Sequence, residues 1–129
     1  MDELEPTTVL VVDDEVDMRL LVRSVMALAG DRFVIVAEAS DGIEAIDQWR
    51  ALDGPPVPDV IILDNRMPHR SGLEVAEDIL RERPEQRIVL FSAFLDDRVR
   101  SRAQEIGISA CLTKEDVAEL PDLISRIRA

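Results

Sequence analysis

Five short apolar runs punctuate the chain: Val9-Leu10-Val11-Val12, Phe33-Val34-Ile35-Val36-Ala37, Val60-Ile61-Ile62-Leu63, Ile88-Val89-Leu90-Phe91 and the weaker Ala110-Cys111-Leu112. Most are apolar at consecutive rather than alternate positions. That pattern predicts strands covered on both faces, as in a parallel sheet. Between them, apolar residues recur at helical spacing. Val16, Leu20, Leu21, Val25 and Leu28 predict one buried stripe, ended by Gly30 at a C′ position. Asp41-Gly42 opens a second helix carrying Ile43, Ile46 and Trp49. Ser71 caps a third, with Leu73, Ala76, Ile79 and Leu80, stopped by Pro84. Asp96 or Asp97 caps a fourth, with Val99, Ala103 and Ile106, closed by Gly107. Pro121 suits the first position of a fifth, with Leu123, Ile124 and Ile127, while Glu115 to Leu120 reads as a turn.

Five strand–helix units in succession predict an α/β sandwich: a five-stranded parallel sheet flanked by five helices, with right-handed crossovers. Residues 53–58, Asp-Gly-Pro-Pro-Val-Pro, form a connecting loop too short to separate domains, and no internal repeat or low-complexity tract interrupts the pattern. A chain of 129 residues is expected to fold as one domain, residues 1–129 with a core from about 8 to 129.

Composition narrows the function classes. The net charge is −12, from 27 acidic and 15 basic residues, the wrong sign for a direct nucleic-acid surface. No apolar run is long enough to span a membrane. The opening MDELEPTT lacks the basic start and apolar stretch of a signal peptide, and a single cysteine excludes an internal disulfide. These features predict a cytoplasmic location.

In open α/β sheets ligands bind beyond the carboxyl ends of the strands, so the residues following each run carry the chemistry. Strand one ends in Asp13-Asp14-Glu15, strand three in Asp64, strand four in Ser92-Ala93 and strand five in Thr113-Lys114. Ionised carboxylates a few ångströms apart repel, each pair by about 4 kcal/mol at the effective dielectric of a protein surface. One lysine does not offset that; a hard divalent cation such as Mg²⁺ does, and a carboxylate beside it is a candidate nucleophile toward phosphorus. Taken singly, Asp13 or Asp14 is equally well read as a helix cap. Asp64 is not, because its next helix begins some seven residues later. Lys114 is the only lysine among fourteen arginines, and its compact ammonium suits a point contact with a phosphoryl oxygen.

With VLVVDDE, IILDNRMPHRSG, IVLFSA and ACLTK in this order and at these separations, the chain resembles the receiver domains of two-component response regulators. The resemblance covers roughly residues 8 to 129. It implies a flavodoxin-like sheet of order 2-1-3-4-5. It also implies that Asp64 accepts a phosphoryl group from a phosphohistidine on a sensor histidine kinase or phosphotransfer protein. By the same resemblance Asp14, Asp64 and the backbone carbonyl of Arg66 bind Mg²⁺ directly, with Asp13 reaching it largely through water. Lys114 meets the phosphoryl group and Ser92 swings toward it, reshaping the surface around the Ser92 loop and helix four for a downstream effector or linked output domain. A phosphorylation-dependent dimer is among the assemblies such domains form.

Two departures and one pair of tuning positions matter. Cys111 stands where the family usually places a rotating aromatic ring, so phosphorylation-dependent change is expected from residues 92–95 and helix four instead, with Phe94 as the nearest aromatic. Glu115 follows the lysine where proline is common. Arg66 and Phe94, two residues beyond Asp64 and Ser92, flank the entrance for attacking water, where such positions tune phosphoryl lifetime. His69 is expected to be an exposed loop residue. Arg98, Arg100 and Arg102 are expected to form a solvated basic edge, with Asp96 pairing Arg100 at i and i+4, or else a dock for an acidic partner. Two other classes compete. A phosphohydrolase of the haloacid dehalogenase type needs an Asp-x-Asp motif, which neither VVDDEV nor ILDNRM supplies. A pseudo-receiver that binds partners without phosphorylation would not need the full set of acids, hydroxyl and lysine.

Overall fold

A computed structural model describes residues 5–52 and 58–128. All but Pro58 of the loop expected at residues 53–58 therefore lies outside the described residues, as does the start of the acidic N-terminus. The elements run β1 (Thr7–Val12), α1 (Val16–Leu28), a 3-10 turn (Gly30–Arg32), β2 (Phe33–Ala39), α2 (Gly42–Ala51), β3 (Val60–Leu63), α3 (Gly72–Glu82), β4 (Arg87–Ser92), α4 (Asp97–Ile106), β5 (Ala110–Thr113), a second 3-10 segment (Lys114–Glu119) and α5 (Leu120–Arg128). All five strands pair in parallel, in the order β2-β1-β3-β4-β5.

The strands explain the continuous apolar runs. Leu10, Val12, Ile61, Leu63 and Ile88 pack with Ala45, Ile46 and Trp49 of α2 and Val75, Ala76 and Ile79 of α3. Their neighbours Val9, Val11, Val60, Ile62, Val89 and Phe91 pack on the other face with Val22 and Met26 of α1 and Leu120 and Ile124 of α5. Each of these residues in β1, β3 and β4 thus has a partner layer, and side chains of this size are worth about 1.5–3 kcal/mol apiece when fully buried. A bulge lies in the β1–β2 pairing, where Val9 faces Ile35 but Leu10 faces Ala37.

The buried stripe of α1 differs from expectation. Val16, Leu20, Leu21 and Leu28 are exposed, Leu28 to 87%, and the helix buries Val22 and Met26, with Met18 and Ala29 partly buried beside them. Two apolar sets share this helix, and the face that meets Phe33 and Ile124 is the one phased on Val22. Ile43 is likewise exposed at the start of α2, where Ala45, Ile46 and Trp49 carry the packing.

Most of the expected helix ends hold. The α1 helix is followed by Gly30 at φ 79, α4 ends on Gly107 at φ 94, and Asp96 caps α4 by accepting from the Val99 amide at 2.9 Å. Ser71 and Glu74 form a reciprocal capping box at the start of α3. The α5 helix starts at Leu120, one residue before Pro121, and the segment ahead of it is a kinked 3-10 helix rather than a simple turn. No helix among the described residues is long and apolar enough to cross a membrane.

Candidate functional site

The sheet reverses direction of growth at β1, with β2 on one side and β3 on the other, so a crevice opens beyond the ends of β1 and β3. Strand periodicity decides what enters it. Val11, Ile62 and Leu112 all pack in the layer shared with α1 and α5. Two residues further along their strands come Asp13, Asp64 and Lys114, which therefore start from the same side of the sheet.

The three groups meet. Lys114 Nζ lies 2.8 Å from Asp13 Oδ2, 3.4 Å from Asp64 Oδ2 and 3.4 Å from Glu15 Oε1. One carboxylate oxygen from each of Asp13, Asp14 and Asp64 lies within 4.8 Å of the others. Asp13 and Asp64 are buried, whereas Asp14 is exposed at the mouth. Backbone ties set the two buried acids: Asp13 N–H donates to the Ala39 carbonyl at 3.0 Å, and Asp64 N–H to the Val12 carbonyl at 2.9 Å. Asp13 Oδ1 accepts from the Glu15 amide at 2.9 Å. Its Oδ2 is buried without a hydrogen bond of good geometry, facing only the Lys114 ammonium as an ion pair.

Electrostatics follow from burial. Asp64 is pushed up from 3.8 to about 6, first by desolvation and then by the Asp13 charge; Lys114 and the Arg66 backbone hydrogen bond oppose the rise. Burial lowers the Lys114 ammonium, but the carboxylates of Asp13, Asp64 and Glu15 outweigh it, so its net shift is upward. Three acids against one lysine leave the cluster short of positive charge. That deficit fits a hard, oxygen-seeking cation.

The loop after Asp64 folds back on α3. Asn65 accepts from the Gly72 amide through its carbonyl at 2.8 Å and from the Leu73 amide through its side chain at 3.1 Å. Gly72 is required there, because a Cβ would stand 2.3 Å from the Asp64 carbonyl oxygen and 2.8 Å from Asn65 Cα. His69 is exposed and holds φ 73, a left-handed conformation uncommon for a side-chain-bearing residue. Ser92 is buried at the end of β4, paired with Thr113 of β5. Arg66 lies over the Phe94 ring, 5.6 Å from its centroid, and Phe94 is itself exposed, so the two loops touch at the mouth of the crevice. Cys111 is half-buried opposite Leu90, and burial pushes its thiol up, away from reactive thiolate. The ion pairs of α4 run from Arg102 to Glu77 of α3 and to Glu105, and Asp96 serves as the cap rather than as a partner for Arg100.

Some contacts give strand-end residues a role not assigned from the sequence, and others bring in further residues. Glu15 reaches Lys114, and Arg19 of α1 donates to the Asp13 carbonyl at 2.6 Å. Asn65 organises the loop. Arg19 carries no local signal, since its role depends on how α1 crosses the end of β1.

The response regulator receiver domain family matches residues 9–127, and the chain belongs to that family. It is 37% identical over 115 residues to the nitrate/nitrite response regulator protein NarL of Escherichia coli, spanning 89% of this chain and 51% of NarL. It is 31% identical over 106 residues to the chemotaxis protein CheY of Thermotoga maritima, covering 82% of this chain and 83% of that one. Protein CcdB of Bacillus subtilis is 30% identical over 122 residues, 94% of this chain and 97% of the relative. Among solved structures, a LuxR-family two-component response regulator from Aurantimonas superimposes with a TM-score of 0.86 at 28% identity, covering 95% of this chain and 85% of that one. The Borrelia burgdorferi CheX-CheY-BeF3-Mg complex superimposes at 0.88 over 99% of this chain and 93% of that chain, and at 23% identity it speaks for the fold. The five-stranded flavodoxin-like architecture is thus that of the family, and the chain is a receiver domain of a response regulator.

Proposed function

We propose that Asp64 accepts a phosphoryl group from a phosphohistidine on a sensor histidine kinase or phosphotransfer protein, and that the acid cluster holds Mg²⁺ for that reaction. The observation that carries this reading is Lys114 reaching toward Asp13 and Asp64, with carboxylate oxygens of Asp13, Asp14 and Asp64 within 4.8 Å of one another at the sheet's switch point. Asp14, Asp64 and the Arg66 carbonyl would hold the ion, with Asp13 linked through water. Bound there, Mg²⁺ neutralises charge on the phosphoryl oxygens.

This chain's residues do the rest. Asp64, at about 6, is largely ionised at neutral pH and available as a nucleophile. One of its oxygens forms the new O–P bond as the donor's P–N bond breaks, the electron pair leaving on the imidazole nitrogen. Lys114 takes a phosphoryl oxygen in place of part of its contact with Asp13 and Asp64. Ser92 closes on another, drawing residues 92–95 with it. Helix α4 is suited to respond, since among its residues only Ala103 is buried. Phe94 and α4 then present the changed surface to an effector or linked output domain. Hydrolysis of the acyl phosphate resets the domain, so the protein acts as a switch that catalyses only its own phosphorylation and dephosphorylation.

The test is incubation with acetyl phosphate and Mg²⁺ followed by intact-mass measurement. The parent is expected to gain one phosphoryl mass increment, and Asp64→Asn none. An increment that survives in Asp64→Asn places the acceptor elsewhere.

A further inference from the structure

The peptide joining Asp13 to Asp14 is held through its carbonyl, and the peptide before it is tied to the sheet. That tie is the Asp13 amide donating to Ala39 of β2 at 3.0 Å. The Asp13 carbonyl oxygen accepts from Arg19 Nη1 at 2.6 Å. The same guanidinium donates through Nε to Glu38 Oε1 at 3.1 Å, and the other oxygen of Glu38 is paired with Arg23. The Arg19 side chain is 17% exposed and that of Glu38 28%, so this pairing is partly withdrawn from water. Glu38 sits on β2 directly opposite Val11, two residues before Asp13.

From this arrangement we infer that Arg19 is a positioning residue for the acid cluster, acting through the Asp13–Asp14 peptide. The orientation of that plane is set by ψ of Asp13 and φ of Asp14. A rotation would redirect the exposed Asp14 carboxylate, while the Asp13 side chain stays where its own amide is tied to Ala39. A planar guanidinium is suited to the task, because its Nε and Nη1 donors diverge in a rigid fork and bridge Glu38 to the carbonyl at one angle. Glu38 in turn fixes the fork, and Arg23 fixes Glu38 from the solvent side. Arg19 touches neither the phosphoryl acceptor nor a metal ligand's carboxylate; its effect passes through the backbone. The inference rests on the cluster being a metal site, and the experiment separates the two.

Metal affinity is read directly by Mn²⁺ titration with electron paramagnetic resonance on the full chain, with circular dichroism confirming the fold of each variant. Parent protein is expected to bind one Mn²⁺, and Asp14→Ala to lose it. Arg19→Ala is expected to weaken Mn²⁺ binding roughly tenfold or more, the effect of removing an outer partner that orients metal ligands. Arg19→Lys keeps the charge without the fork and is expected to recover only part of that loss. Glu38→Gln, which keeps the shape and loses the ion pair, is expected to weaken binding by a smaller factor, and Arg23→Ala to leave it within about twofold of the parent. Arg19→Ala folded and binding within twofold of the parent overturns the positioning role while the metal site stands. Should Arg19→Ala not fold, Arg19→Lys and Glu38→Gln decide, parental affinity in both overturning the role. Equal binding by parent and Asp14→Ala, or none by the parent, removes the metal-site reading and the inference with it.

Discussion

Asp64 is costly to ionise in the free domain. Its carboxyl is held up to about 6 against an ordinary 3.8, chiefly by burial and the neighbouring Asp13. A carboxyl raised in the folded state contributes stability in full below its unfolded value and loses it as pH climbs through the folded one. For Asp64 that window runs from about 4 to about 6. In metal-free buffer, the melting temperature of the parent is therefore expected to fall relative to Asp64→Asn across this window. The gap should reach a few degrees, on the order of 1–2 kcal/mol once solvent screening is allowed for. Parallel melting curves for the two proteins from pH 4 to 7 would overturn the assignment of that strain to Asp64.

Among the elements, α3 begins hard against the backbone of Asp64. Gly72 leaves no room for a side chain, since a Cβ would stand 2.3 Å from the Asp64 carbonyl oxygen, part of a backbone that does not yield cheaply. Gly72→Ala is expected to cost about 1–3 kcal/mol, as overpacking of a close backbone approach does, and to slow labelling of Asp64 by acetyl phosphate. Denaturant unfolding and intact-mass kinetics measure the two effects. The strands were legible in the sequence because burial on both faces leaves uninterrupted apolar runs, and Val60 to Leu63 is read correctly to the residue. Helix α1 was not, because it carries two apolar sets at helical spacing. Only its packing against Phe33 and Ile124 selects Val22 and Met26 over Leu20, Leu21 and Leu28. Asp13, Asp64 and Lys114 could be placed together because each follows a strand at the same edge. Arg19 and Glu38 could not, because their meeting is made by the crossing of α1 over the end of β2.

At the scale of the molecule, the dominant fact is surplus negative charge, −12 overall, to which the site adds a local excess of three acids facing one lysine. A bound divalent cation adds stability by mass action, about 2.7 kcal/mol when its concentration is a hundred times the dissociation constant. Mg²⁺ is thus expected to raise the melting temperature of the parent. Asp14→Ala should abolish that rise and melt higher than the parent when both are metal-free, because the repulsion leaves with the carboxylate. Scanning calorimetry in Mg²⁺ and in chelator measures both. Unchanged melting of the parent on Mg²⁺ addition counts against the site.

The fourteen arginines and single lysine have a practical side. Lys114 supplies the only ε-amine in the sequence, and its side chain is 9% exposed, enclosed by Asp13, Asp64 and Glu15. An ammonium held so firmly in its protonated form is a poor nucleophile toward acylating reagents. Amine-directed side-chain chemistry on this protein has one address, the centre of the cluster, and proceeds there only when the pH is raised enough to free the amine. A reporter group introduced there would sense the surroundings of the acids with no background from other lysines.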